Sequence, residues 1–143
     1  MNEDYLRTID GIIKTGHWIT DQVSKELKEF DITEPQYNVL RTLKNAEHHP
    51  STVQEILEQM IQNSSNVSRI VDKLLSKGLV NRETCPSNRR KMDITITKAG
   101  LAILVKLDKK VHQLHEPMYI RLDSDELKTL EKLITKLTAN NHE

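Results

Sequence analysis

The residues best suited to chemistry lie between Gln62 and Gly100. Ser64, Ser65, Asn66 and Ser68 are short polar side chains at the head of a helical pattern, and Arg69 and Lys73 follow at helical spacing. Farther on, Arg89, Arg90 and Lys91 stand together in the turn-forming stretch after Cys85-Pro86-Ser87. Short polar groups on a helix can enter a major groove and reach base edges, while neighbouring cations reach phosphate. Guanidiniums exposed at a turn can serve phosphates or a narrow minor groove. The plainer reading of the same helix is a solvated outer face, and the basic hairpin weighs against it.

The charge distribution supports this assignment. The chain has 143 residues and a formal net charge of zero. Residues 1–65 carry six basic against eleven acidic groups, residues 66–98 carry eight against three, and the remainder carries seven of each. Neutrality therefore hides one basic segment, the electrostatic footprint that binding to phosphate requires. Aromatic residues make up 3% of the chain, too few for a single-strand binder that stacks bases.

Other chemistry finds less support. The sequence has no glycine-rich phosphate loop, no nucleophile elbow and no carboxylate pair in an apolar setting, so an enzyme is not expected. His112 and His115 share a helix face, but nearby Asp108 and Glu116 are generic and His48-His49 fall in a loop, so no metal or other cofactor is expected. Cys85 is the single cysteine, which rules out a disulfide within the chain; its basic neighbours could lower a thiol pKa. The opening MNEDYLRTID is too acidic and polar for a signal peptide, and no apolar run suits a membrane span. A cytoplasmic protein without membrane contact is expected.

The elements that must position these residues can be read from periodicity. Leu6, Ile9, Ile13, Gly16, Ile19, Val23, Leu27 and Phe30 step by three and four, predicting one long helix over the first thirty residues. Thr33, Pro35 and Gln36 form the start of a second helix with Tyr37, Leu40 and Leu43 inward. Ser51 and Gln54 suggest a capping box for a third, with Val53, Ile56, Leu57, Met60 and Ile61 following. A fourth, capped by Asn63 or Ser64, turns Val67, Ile70, Val71, Leu74 and Leu75 inward and stops at Gly78. Its outer face is Ser65, Asn66, Ser68, Arg69, Asp72, Lys73 and Ser76, and only a couple of residues part it from the third helix, as in a helix-turn-helix.

The period then changes to two. LVNRET and KMDITIT read as strands of an antiparallel hairpin, with CPSNRR as its turn. Thr97 caps a fifth helix whose stripe is Leu101, Leu104, Leu107, Val111, Leu114 and Met118, and Pro117 limits how it ends. Asp123 and Glu126 open a sixth, with Leu127, Leu130, Ile134 and Leu137 inward. The fold class is mainly α (α+β).

On these residues the chain resembles the MarR family of bacterial and archaeal transcription regulators. The family's recognition helix ends in Leu-x-x-x-Gly-Leu-Val and its wing in Leu-Thr-x-x-Gly; here these are Leu74-Leu75-Ser76-Lys77-Gly78-Leu79-Val80 and Ile96-Thr97-Lys98-Ala99-Gly100. DITEPQYNVL is similar to the family's helix entry. Two features depart. The wing's usual Asp-x-Arg is Asn88-Arg89-Arg90, which removes an ion pair, and Ile56-Leu57 is bulkier than the usual Leu-Ala.

The resemblance implies a single domain over 1–143, with a winged helix-turn-helix core at 33–100 and dimerisation helices at 1–30 and 101–143. It implies a homodimer that binds double-stranded DNA at a pseudo-palindromic operator, as a repressor. The long apolar stripes of the last two helices support dimerisation separately, although they could also fold back on their own chain. The DNA-contacting set is Ser51, Thr52, Gln54, Ser64, Ser65, Asn66, Ser68, Arg69, Lys73, Arg89, Arg90 and Lys91. The family also suggests a small aromatic or anionic effector in a cleft lined by Ile13, His17, Trp18, Tyr37 and Arg41, though each alone reads better otherwise, Trp18 as a core residue and His17 as a hydrogen-bonded helix residue. The alternative is a winged helix used only as a protein-interaction or dimerisation module.

Overall fold

The computed structural model describes residues 1–46, 49–60 and 66–139. In chain order the elements are α1 (Glu3–Lys28), α2 (Glu34–Asn45), α3 (Val53–Gln59), α4 (Val67–Ser76), β1 (Val80–Cys85), β2 (Asn88–Ile96), α5 (Lys98–Tyr119) and α6 (Ser124–Thr138). They form two compact units, Met1–Val111 and His112–Glu143.

Within the first unit, α2 is the hub, packing on α1, α3, α4 and β2. It begins at a capping box in which Thr33 accepts from the Gln36 amide and Gln36 accepts from the Thr33 amide, with Pro35 in the first turn. Val39 and Leu40 are fully buried. The core is not confined to 33–100. Val23 and Leu27 enter it from α1, and Leu104, Leu107 and Val111 from α5, so parts of the helices assigned to dimerisation cover the winged helix. The rest of the expected α1 stripe is not buried: Leu6, Ile13 and Gly16 are exposed, and Trp18, weighed as core, is 48% exposed.

Several boundaries differ from those expected. The box at α3 is Thr52 with Glu55, one residue after Ser51 and Gln54. Ser51 is instead buried, and its amide and carbonyl both pair with Ile94 of β2, at 3.0 and 2.8 Å. Strand pairing claims its backbone, so the turn of helix starts later. Helix α4 is described from Val67, with Asn66 as N-cap, and the expected short link from α3 falls on residues outside the described ones. The proposed caps Asn63 and Ser64 lie outside the described residues, as do Ser65, Ile61 and His48. Pro117 lies inside α5, which continues to Tyr119.

The corner between α4 and α5 is the most constrained part of the unit. Helix α4 ends in a Schellman motif: Leu79 N–H donates to the Leu74 carbonyl and Gly78 N–H to that of Leu75, each at 3.0 Å. Gly78 takes φ +72°, where a side chain would be strained. The Thr97 hydroxyl donates to the Gly78 carbonyl at 2.8 Å and accepts from the Gly100 amide at 3.0 Å, which caps α5. Gly100 packs against the Leu79 carbonyl so closely that an added Cβ would lie 2.2 Å from its oxygen and 2.7 Å from Ile96 Cγ1. The two sequence motifs are thus the two halves of one joint.

A second tie joins α2 to α5. Tyr37 is buried, and its hydroxyl donates to Asp108 Oδ1 at 2.7 Å; Lys44 approaches the other Asp108 oxygen at 3.8 Å. Burial, with the hydrogen bond to Asp108 adding to it, pushes the Tyr37 phenol above its ordinary range.

In the second unit, α6 begins at an Asp123–Glu126 capping box. None of its residues is buried, and Leu127, Leu130, Ile134 and Leu137 are 40–48% exposed. The expected inward stripe exists as a stripe but has no cover.

Two outcomes follow. Ala normally stabilises a helix relative to Gly by about 1 kcal/mol, but Gly100→Ala forces the Leu79 backbone away and should cost about 2–3 kcal/mol net, as overpacking does. Gly78→Ala, with open space around it, should cost only the left-handed conformation, about 1 kcal/mol. Urea midpoints of the two variants check the order. Tyr37 has its folded pKa raised, so its contribution is complete below the unfolded value of about 10 and is lost as pH rises above it. Tyr37→Phe should flatten the fall in stability seen above that pH, measured by urea unfolding across the alkaline range.

Candidate nucleic-acid interface

Helix α4 presents two faces because its apolar residues recur at three and four. Val67, Val71 and Leu74 are buried, while Asn66, Ser68, Arg69, Asp72, Lys73 and Ser76 are exposed on the other side. The exposed face is rich in short polar groups and carries two cations. Among the described residues, neither Arg69 nor Lys73 takes part in an ion pair. Their charge is available to a partner.

The hairpin carries the second group of cations, in a form the sequence did not suggest. Strand β1 runs to Cys85 and β2 begins at Asn88, so Arg89, Arg90 and Lys91 belong to β2 and not to the turn. Thr84 pairs with Met92, whereas Cys85 pairs with Asn88. One step along β1 therefore spans Arg89, Arg90 and Lys91 on β2, and the register breaks where the cations stand. A bulge of this kind bends a strand and re-aims its side chains. All three are exposed, and among the described residues none forms an ion pair. Asn88 Oδ1 accepts from the Arg90 amide at 3.0 Å, which fixes the backbone of the bulge and leaves the guanidinium untouched.

Helix and hairpin are tied together by a contact absent from the sequence reading. Arg82 of β1 donates from Nη1 to Asp72 Oδ1 of α4 at 2.6 Å. Strand alternation could have found it. Val80 is buried, so Arg82, two residues on, points to the same side as Val80, toward α4. At the C-terminal end of α4, Lys77 donates to the Asp31 carbonyl and, at 3.2 Å, to Gln36 Oε1. The middle and the C-terminal end of the helix are thus anchored to neighbouring elements.

The remaining expected DNA contacts scatter. Ser64 and Ser65 lie outside the described residues. Ser51 is buried with its backbone paired, so it is withdrawn from the set. The Thr52 hydroxyl is spent on the Glu55 amide, and the exposed Gln54 donates to Glu58 at 3.3 Å.

The expected effector lining comes from two helices, α1 and α2. Tyr37 is buried and bonded to Asp108, and the Arg41 guanidinium lies 5.4 Å from the Tyr37 ring centroid. Ile13, His17 and Trp18 are exposed on α1, and none of them lines the pocket beside Arg41. Asp108, weighed beside His112 and His115, is engaged by Tyr37 and Lys44, and no metal-holding cluster is found among the described residues. Cys85 is half-buried, with Sγ 3.2 Å from Ser87 Oγ.

The MarR family model matches residues 32–92, which span α2 through the cationic part of β2. The HTH-type transcriptional regulator PrsX of Escherichia coli is 29% identical over 133 residues, covering 90% of this chain and 77% of PrsX. A cysteine-to-serine mutant of E. coli MarR, solved in complex with operator DNA, superposes with a TM-score of 0.80 at 27% identity, covering 94% of this chain and 95% of that one. Residues 32–92 thus form a MarR-type region, and the chain is a transcriptional regulator with the winged-helix fold. The fold match extends over nearly the whole chain: AbsC, a MarR-family regulator from Streptomyces coelicolor, gives a TM-score of 0.88 at 21% identity, covering 99% of this chain and 97% of AbsC.

Set against the MarR-family pattern, the wing's missing acid is replaced in part. Asn88 steadies the Arg90 backbone, and Asp72 holds Arg82 instead of a wing arginine. The Asp72–Arg82 pair is partly exposed, at 60% and 37% of the two side chains. A pair this wet should contribute less than about 1 kcal/mol, so its role is orientation. A double-mutant cycle of Asp72→Asn and Arg82→Gln should return a coupling below that figure while amide exchange along β1 accelerates in both single variants.

Proposed function

We propose that this MarR-family regulator binds double-stranded DNA as a homodimer on a pseudo-palindromic operator and represses transcription there. Helix α4 enters the major groove, with Asn66, Ser68, Arg69 and Lys73, together with Ser64 and Ser65, at bases and phosphates. Arg89, Arg90 and Lys91 of the hairpin reach the adjacent phosphates or minor groove. The observation that carries this reading is the pairing of an exposed polar helix face with a hairpin whose three neighbouring cations are exposed and, among the described residues, free of ion pairs, the two elements being clamped by Asp72 and Arg82. A surface used only for protein contact would not need that concentration of unspent positive charge.

The homodimer is supported by uncovered apolar surface. Beyond the α6 stripe, a groove of about 440 Å³ is lined by Leu122, Thr129, Leu130 and Leu133 with polar residues at its edge. Tyr5, Leu6, Ile12 and Ile13 are exposed on the first half of α1. Apolar stripes of this length mark an interaction surface, and two copies would place two recognition helices about 34 Å apart, one turn of duplex. The protein acts without catalysis, in the cytoplasm; none of the helices among the described residues is long and apolar enough to cross a membrane.

Selection of bound duplexes from a random pool tests the proposal and should return a symmetric site. Against that site, Arg90→Ala should weaken binding to every duplex alike and reduce the salt slope by roughly 1. Asn66→Ala should instead change the preferred sequence, because base contacts specify while phosphate contacts position. A protein that enriches no sequence from the pool would leave only the interaction-module reading. Truncation after Pro117, which removes α6, should convert the dimer to monomer or aggregate in sedimentation; a compact truncated dimer would locate the interface elsewhere.

A further inference from the structure

Lys77, the residue that follows α4, spends its charge inward. Its ammonium donates to the Asp31 carbonyl and, at 3.2 Å, to Gln36 Oε1, and its side chain is only 27% exposed. Gln36 is buried, and the same Oε1 already accepts from the Thr33 amide at the start of α2. Asp31 lies at the end of α1, which closes as α4 does: Ile32 N–H donates to the Leu27 carbonyl at 3.3 Å and Asp31 N–H to that of Lys28 at 3.1 Å. One ammonium thus joins the end of α1, the start of α2 and the end of α4. Asp31 itself is an outlier. It takes φ +56°, in the place that Gly78 fills at the end of α4, and among the described residues no other non-glycine residue has a positive φ. A strained conformation of this kind persists only where its surroundings hold it, and it marks a place with a task. The Asp31 carboxylate is 3.7 Å from Lys77 Nζ but open to water, so that pair is weak. The grip lies in the two hydrogen bonds.

Two holds give α4 a direction. Arg82 fixes its middle through Asp72, and Lys77 fixes its C-terminal end. Without the second hold, the first becomes a pivot. At about 1.5 Å per residue the N-terminal end lies about 9 Å beyond that pivot, so a tilt of about 6° moves it by about 1 Å. Asn66 and Ser68 stand at that end. Their short side chains cannot make up such a shift, because hydrogen bonds hold only between about 2.7 and 3.2 Å. A cation on a long flexible stem can follow its phosphate through the same movement. We infer that Lys77 is a positioning residue for base reading: it sets the tilt of the recognition helix from the α1–α2 corner without touching DNA. It therefore governs which sequence is preferred more than how strongly DNA as such is held. This rests on the operator-binding reading above.

The test measures affinities of the full chain for the duplex selected from the random pool and for a scrambled duplex, across a salt series. Lys77→Met keeps the apolar stem and removes the donors. It should lower affinity for the selected duplex about fivefold or more, the least that a lost base contact costs. The scrambled duplex should stay within about twofold, since that binding is to phosphate. The salt slope should equal that of the natural protein; a slope smaller by roughly 1 would make Lys77 a phosphate contact and overturn the inference. A second comparison separates position from stability. Gln36→Met loses both the Lys77 bond and half of the α2 capping box, whereas Thr33→Val loses the other half of the box and leaves the Lys77 bond alone. Both should lower the urea midpoint, but only Gln36→Met should lose preference for the selected duplex. Gln36→Glu keeps the acceptor for both partners and should retain that preference. Equal losses of preference in Gln36→Met and Thr33→Val, or full preference in Lys77→Met, would mean that the clasp only stabilises the fold. If the natural protein itself does not distinguish the two duplexes, the operator reading has failed and this inference falls with it.

Discussion

The winged helix depends on how closely the backbone of Leu79 can approach the backbone of Gly100. The chain leaves α4, turns through the left-handed Gly78 and immediately starts β1; it returns along β2 and immediately starts α5. Both corners occupy the same space, and only a residue without Cβ fits at position 100. The Thr97 hydroxyl then binds the two corners into one unit, satisfying the Gly78 carbonyl just past α4 and an orphan amide of α5 with a single side chain. The direction of the recognition helix, the exit of the hairpin and the entry of α5 are set together. A change at any of these positions would move the other two.

Electrostatics refines what that joint fixes. The ion pairs around α4 are partly exposed and contribute little free energy, but they hold its middle and its C-terminal end against neighbouring elements. Arg82 and Lys77 are consumed internally, whereas Arg69, Lys73 and the bulge cations are not. The basic segment thus divides into charges that hold the scaffold and charges that face outward. The register break performs this division on β2: residues outside the ladder owe nothing to a cross-strand partner.

The helices bracketing the winged helix are partitioned in the same way. The last turns of α1 and the first half of α5 complete the core of the first unit, while the start of α1 and the whole of α6 keep apolar side chains in contact with water. A sequence stripe records only that one face is apolar. Whether that face meets its own chain or another depends on which neighbours the fold brings within reach, and the same period of three and four describes both outcomes.

Local signals account for most of what was legible in the chain. Caps at Thr33 and Asp123, the stop at Gly78, the switch to period two near Val80 and the basic excess of residues 66–98 are consequences of bonding and sterics within a few residues, so the sequence alone determined helix order, the hairpin and the polar face of α4. The errors arose where a distant partner outbid a local preference. Ser51 was claimed by Ile94 and so could not cap α3; Arg89 to Lys91 were drawn into a bulged strand; Trp18 and Ile13 found no cover. The Asp72–Arg82 clamp and the Tyr37–Asp108 tie join residues from separate elements. Their existence was decided only by the tertiary structure, because hydrogen bonds reach about 3 Å and nothing in linear order says which side chains the packing will bring that close.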